Sequence, residues 1–182
     1  MSRIEQGKLE LHLENFDLSD AAREVAERLS DEAAREGCEL HISSQPVTGR
    51  WDRLRIEQVI TNLLSNSIKY GSRKPITLCV EPRDEDLATI TVQDEGIGIE
   101  PDKVKCIFNR FERAVPTRHY GGLGLGLYIV RQIVQEHGGQ VEVESRPGAG
   151  ARFVITLPRG PSEARRQSLV PAGTEQATGH AG

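Results

Sequence analysis

The chain has 182 residues, enough for one domain of ordinary size with its own core. Its formal net charge of −4, with Lys and Arg scattered along the chain, argues against a nucleic-acid surface. Cys38, Cys79 and Cys106 are far apart and outside C-x-x-C pairs, which argues against a disulfide framework or zinc site and for reduced thiols.

No apolar run approaches the ~18 residues a bilayer span needs, and "MSRIEQGKLELHLE" lacks the apolar centre of a signal peptide. The expected compartment is cytoplasmic, with no membrane segment of its own. Ser2 to about Lys8 reads as helical but too short to stand alone, like the end of a helix. Asp17 or Ser19 is placed to cap a helix through "DAAREVAERLSDEAAREG", with Ala22, Val25, Ala26 and Leu29 at helical spacing and Gly37 ending it.

Short strands follow. "CELHIS" alternates, and "VTGRWD" is its expected partner. A helix from about Asp52 to Tyr70 gathers Ile56, Ile60, Leu63 and Leu64 on one side. Asn62, Asn66, Lys69 and Tyr70 fall together beside that apolar face. Asn is a mediocre helix former, so this stripe asks for a reason beyond solvation. An amide oxygen suits Mg²⁺, which keeps most of its waters and takes phosphate oxygens. Lys69 suits a phosphate and Tyr70 an aromatic base. A solvated face is the alternative reading.

"ITLCVEP" and "LATITVQD" alternate cleanly, joined by a turn at "DEDL"; "QVEVES" and "ARFVITLP" close the set. Alternation predicts a sheet covered on one face. The fold class is therefore α+β, a two-layer α/β sandwich with a mixed sheet of about five strands and helices on one face. Asp94 ends a strand and is followed by Gly96 and Gly98, an arrangement in which a carboxylate accepts from a closely approaching amine such as adenine N6. A turn residue capping the next helix is the alternative. Phe108 and Phe111 suggest a hydrophobic clasp, and Arg110 or Arg113 can reach a phosphate or simply be solvated. "GGLGLGL" precedes a helix running from about Leu125 to His137. Glycines there leave backbone N–H groups for phosphate and permit a lid, with leucines packing beneath it. His119 just before it reads as lid-stabilising or solvated. From Arg159 onward the composition predicts disorder.

In order, "NLLSNSIKYG", "DEGIGI", "IFNRFER", "GGLGLGLYIV" and "HGGQVEVESRPGAGARFVITLP" resemble the asparagine, glycine and phenylalanine boxes of the ATP-binding catalytic domain of sensor histidine kinases, a Bergerat-type fold of the gyrase, Hsp90, histidine kinase and MutL-like superfamily. The resemblance implies ATP and Mg²⁺ as ligands, with Asn66 the metal ligand and Asn62 the second box asparagine. It implies that Lys69 and Arg113 meet the phosphates, that Tyr70 packs on adenine, and that Asp94 reads N6 beside Gly96, Gly98 and Ile99. Gly122, Leu123, Gly124, Leu125 and Gly126 belong to the lid. Hydrolysing cousins carry a glutamate base where Asn62 stands; an amide cannot take a proton from water, which favours phosphoryl transfer.

The resemblance divides the chain into 1–15, the end of a dimerisation helix and linker, 16–158, the catalytic domain, and 159–182, a disordered tail. None of the five histidines, His12, His41, His119, His137 and His180, has the phosphoacceptor context. The implied partners are a phosphoacceptor histidine domain and a response regulator in trans, with dimerisation only if the dimerisation helices are supplied. A nucleotide-binding regulator or remnant without transferase activity, and an anti-sigma-type serine kinase, are the other readings.

Overall fold

The computed structural model describes residues 9–111 and 124–160. Their elements run β1 (Glu14–Asp17), α1 (Leu18–Arg35), β2 (Leu40–Ser44), β3 (Thr48–Trp51), α2 (Arg53–Tyr70), β4 (Ile76–Pro82), β5 (Leu87–Asp94), α3 (Pro101–Val104), α4 (Gly126–Glu136), β6 (Gln140–Ser145) and β7 (Ala151–Pro158). Five strands form one mixed sheet in the order β2-β4-β5-β7-β6, in which β2 and β4 are parallel and the other pairs antiparallel.

The alternation that predicts the sheet also sets its buried face. Ile76, Leu78 and Val80 of β4, Ala88, Ile90 and Val92 of β5, and Phe153, Ile155 and Leu157 of β7 are all buried. They pack against Val25 and Ala26 of α1, Ile60, Leu63 and Leu64 of α2, and Val130, Ile133 and Val134 of α4 in one core. The helices cover that face, giving the two-layer α+β architecture. The β4–β5 turn falls at the expected "DEDL", where the Asp84 carboxylate accepts from the N–H groups of Asp86 and Leu87, each at 2.8 Å. Its register sets Ile76 opposite Asp94, and Asp94 in turn opposite Ala151 of β7. The candidate carboxylate thus ends a central strand and is flanked on both sides.

Asp17, not Ser19, caps α1: its carboxylate accepts from Ser19 N–H at 2.9 Å. Asp52 caps α2 in the same manner through Arg55 N–H. The expected pairing of "VTGRWD" with "CELHIS" does not occur. β3 instead pairs with β1, Phe16 opposite Gly49, in a separate two-stranded sheet. The reason is topological: α2 crosses over between β2 and β4, and such a crossover makes those two parallel neighbours. Trp51 fills the gap beneath the small sheet, its ring 5.6 Å from that of Phe16 and its Nε1–H donating to Pro158 O at 2.7 Å. A Cβ at Gly49 would lie 2.3 Å from the Trp51 ring, so only glycine fits there.

Hydrogen-bonded structure continues one residue past the boundary drawn after Pro158. Arg159 accepts from Arg50 N–H at 2.9 Å through its carbonyl and donates its own N–H to Asp86 O at 2.7 Å. The helical start at residues 2–8 and the tail at residues 161–182 lie outside the described residues.

Candidate functional site

The C-terminal half of α2 lies against the end of β5, and the candidate residues meet at that junction. Asp94 is 6 % exposed. Its Oδ1 accepts from Gly96 N–H at 2.9 Å and Ala151 N–H at 3.3 Å, and its Oδ2 from the Ser67 hydroxyl at 3.1 Å. Burial pushes the Asp94 carboxyl above its ordinary range, and the bonds from Gly96, Ser67 and Ala151 pull it partly back. The fold therefore holds a buried acceptor whose Oδ1 is filled by backbone donors and whose Oδ2 receives one hydroxyl, leaving that oxygen capacity for another donor.

Gly96 and Gly150 let the backbone close around this carboxylate. A Cβ on Gly96 would sit 1.8 Å from Tyr70 O, and one on Gly150 2.0 Å from Asp94 O. Ile97 N–H donates to Tyr70 O at 3.1 Å, stitching the turn after β5 to the end of α2. Gly98 has φ +71° and packs on the Arg146 carbonyl, while Ile99 N–H donates to the Ser145 hydroxyl at 2.9 Å. Gly96, Gly98 and Ile99 thus form one wall with the 145–150 turn.

Along α2, Asn62 and Asn66 are half-buried, Tyr70 is half-buried and Lys69 is exposed. The Asn62 side-chain N–H donates to Gly126 O at 3.3 Å, bringing the helix to the first turn of α4. Gly124 has φ +70° and its carbonyl accepts from Phe111 N–H at 3.1 Å, closing the two ends of the segment between them. Leu125 stands at the N-cap of α4 and supplies no side-chain acceptor to its first N–H groups. The Arg110 guanidinium lies 5.3 Å over the Tyr128 ring and 5.9 Å over that of Phe111, and Phe108 packs edge-on against Phe153. Arg113, His119, Gly122 and Leu123 lie outside the described residues.

A half-buried strip of amide oxygens beside a buried carboxylate suits a nucleotide and its hydrated metal. Among the described residues no group of three or more His, Cys, Asp or Glu is placed to hold a metal ion. The donor set fits Mg²⁺ held by an amide and phosphate oxygens, not a protein cage.

Residues 51–161 match the family model described as "Histidine kinase-, DNA gyrase B-, and HSP90-like ATPase". The chain belongs to this ATPase family. Among curated relatives, it is 35% identical over 162 residues to the sensor histidine kinase MtrB of Mycolicibacterium paratuberculosis, an alignment covering 87% of this chain and 28% of MtrB. It is 35% identical over 185 residues to the autoinducer 2 sensor kinase/phosphatase LuxQ of Vibrio parahaemolyticus, covering 96% of this chain and 21% of LuxQ. The chain spans less than a third of the length of these relatives. The fold superposes on full-length ShkA in complex with AMPPNP with TM-score 0.75 at 30% identity, over 85% of this chain and 32% of ShkA. It superposes on the catalytic domain of histidine kinase ThkA with TM-score 0.73 at 27% identity, over 83% of this chain and 100% of that domain. The five-stranded mixed sheet with its helices is the fold of these kinase catalytic domains.

Two participants escaped the sequence reading. Ser67 is 1 % exposed and lies on the apolar side of α2. A hydroxyl among Leu63, Leu64 and Ile68 is a readable signal, because a buried polar atom needs a partner. Ser145 joins Ile99 to Gly150, donating to Gly150 O at 2.6 Å, and alternation alone gave it no role.

No described helix is long and apolar enough to cross a membrane.

Proposed function

We propose that this domain binds ATP with Mg²⁺ and transfers the γ-phosphoryl group to a histidine on a separate dimerisation module, for onward passage to a response regulator. The observation that carries the reading is the Asp94 carboxylate, buried, held by Gly96, Ala151 and Ser67, and bordered by the α2 amide stripe. In this reading Asp94 accepts from adenine N6, Tyr70 packs on the base, and Gly96, Gly98 and Ile99 admit it closely. Asn66 holds Mg²⁺, which offsets phosphate charge when bound. Lys69 and Arg113 meet the phosphates. Gly122, Leu123, Gly124, Leu125 and Gly126 cover them, with the α4 N-terminus directing its amides toward negative charge.

The transfer breaks the bond between the γ-phosphorus and the bridging oxygen, which leaves with ADP, while an imidazole nitrogen of the acceptor forms the new P–N bond. Catalysis of such a step is mostly positioning and charge stabilisation. Asn62 fits that role, since it donates to Gly126 O and offers no base to activate water. The test mixes this chain, labelled ATP–Mg²⁺ and a histidine-bearing helix bundle. An acid-labile phosphoprotein is expected; bound ATP that is never converted overturns the transferase reading in favour of a nucleotide-binding regulator.

A further inference from the structure

We infer that Ser67 is a positioning residue that sets the base preference of the nucleotide pocket by holding Asp94 as a hydrogen-bond acceptor. The inference rests on the reading of Asp94 as the base-recognising group.

The two carboxylate oxygens of Asp94 have different surroundings. Oδ1 is filled by the N–H groups of Gly96 and Ala151, so the oxygen left to meet a base is Oδ2. Among the described residues, the side chain that meets Oδ2 is Ser67, whose hydroxyl donates to it at 3.1 Å from the buried face of α2. Ser67 and Asp94 are both buried, so neither readily exchanges the other for water. A donor fixed on Oδ2 does two things. It fixes the plane of the carboxylate, and it favours the ionised form that only accepts. Adenine presents an amine at position 6 and matches an acceptor there. Hypoxanthine presents an oxygen at the same position and faces a carboxylate unfavourably, but would accept a bond from a protonated carboxyl.

Burial already pushes Asp94 upward, and Ser67 is one of the three groups pulling it down. Among the described residues, the other titratable groups near it are Cys38, just before β2, whose thiol burial also pushes up, half-buried Tyr70 at the end of α2, exposed Lys69 and Glu95, and Arg152, which neighbours Ala151 but alternates to the opposite face of the sheet. Loss of the Ser67 hydroxyl therefore moves Asp94 further toward the neutral acid, which donates. The pocket's preference for an amine over an oxygen weakens with it.

The test is equilibrium binding of Mg²⁺–ATP and Mg²⁺–ITP by the wild-type chain, Ser67→Ala, Ser67→Cys and Ser67→Thr, titrated from neutral pH downward as far as each chain stays folded. The wild-type preference for ATP should fall as pH falls through the Asp94 pKa. In Ser67→Ala that fall should begin at higher pH, with the ATP-to-ITP ratio reduced about tenfold where the two profiles differ most. Ser67→Thr, which keeps a hydroxyl, should restore the ratio, and Ser67→Cys, a weak donor of similar size, should lie between. A Ser67→Ala chain that loses both nucleotides equally at every pH, or keeps the wild-type ratio and profile, overturns the inference. Wild-type chain that takes up neither nucleotide removes the base-recognition reading itself and the inference with it.

Discussion

The two ends of the candidate pocket are built differently. At the Asp94 end the polar group is buried, three donors meet one carboxylate, and Gly96 and Gly150 sit where no side chain fits. At the other end Asn62 and Asn66 are half-buried and Lys69 is exposed. The first end is organised by folding itself, because its hydrogen bonds belong to strand register and turn closure. The second presents groups that stay partly open to solvent, where phosphate and a hydrated ion can reach them. A pocket of this kind recognises the base through a preformed contact and the phosphates through charge, so its two ends should respond to substitution in different ways.

The largest effects should be on the fold at the Asp94 end. Gly150→Ala places a Cβ 2.0 Å from Asp94 O at φ +79°, and Gly96→Ala places one 1.8 Å from Tyr70 O. Each should lose ~1–3 kcal/mol or more in urea unfolding, with a further ~1–2 kcal/mol at Gly150 from its left-handed backbone. At the other end the comparison predicts the reverse. Asn66→Ala should leave the melting temperature near wild type and weaken ATP binding about tenfold only when Mg²⁺ is present, as titrations with and without the ion will show. Equal loss in both titrations would remove the metal role.

Away from the pocket, Asp17 gives a smaller effect with a defined pH dependence. Burial raises its pKa, but bonds from Val47 and Ser19 outweigh it, and the net folded value lies below the ordinary 3.8. A lowered folded pKa means stabilisation that is fully present above the unfolded value and lost as pH falls through the folded one. Asp17→Ala should cost ~1 kcal/mol at neutral pH. The gap from wild type should close on strong acidification, followed by thermal melts across pH. The smallest effect should be at Gly126, where among the described residues a Cβ would meet Asn62 Cγ at an ordinary 3.8 Å. Gly126→Ala should keep the fold and stabilise α4 by up to ~1 kcal/mol. A fall in ATP affinity without loss of stability would then report a nucleotide contact at that position.

The sheet was legible because β4, β5 and β7 each carry a full alternating run, and α2 and α4 because their apolar faces are long. The small β1–β3 sheet was not. Its strands have four residues each, and their pairing depends on Trp51 reaching across to Phe16 and Pro158. The same holds for the helix junction, where Asp52 N–H donates to His137 Nε2 at 3.0 Å and His137 Nδ1 donates to Ile133 O at 2.8 Å. That contact fixes the neutral tautomer and joins the start of α2 to the end of α4 across 85 positions of sequence. In the pocket, Asp94 and the glycines were legible as a motif at a strand end. The Ser67 bond was not, because it requires knowing that α2 lies against the end of β5.

The most direct test of the account is calorimetric titration of Mg²⁺–ATP into the wild-type chain and Asp94→Asn, with melting curves for both. Burial has raised the folded pKa of Asp94, so its ionised form costs stability at neutral pH, a cost that eases as pH falls. Asp94→Asn should therefore melt no lower than wild type at pH 7, while its ATP affinity falls by tenfold or more. Saturable binding by wild type with that loss in the variant is the predicted result. A folded wild-type chain that takes up no ATP, or a variant that binds it equally well, would contradict the account.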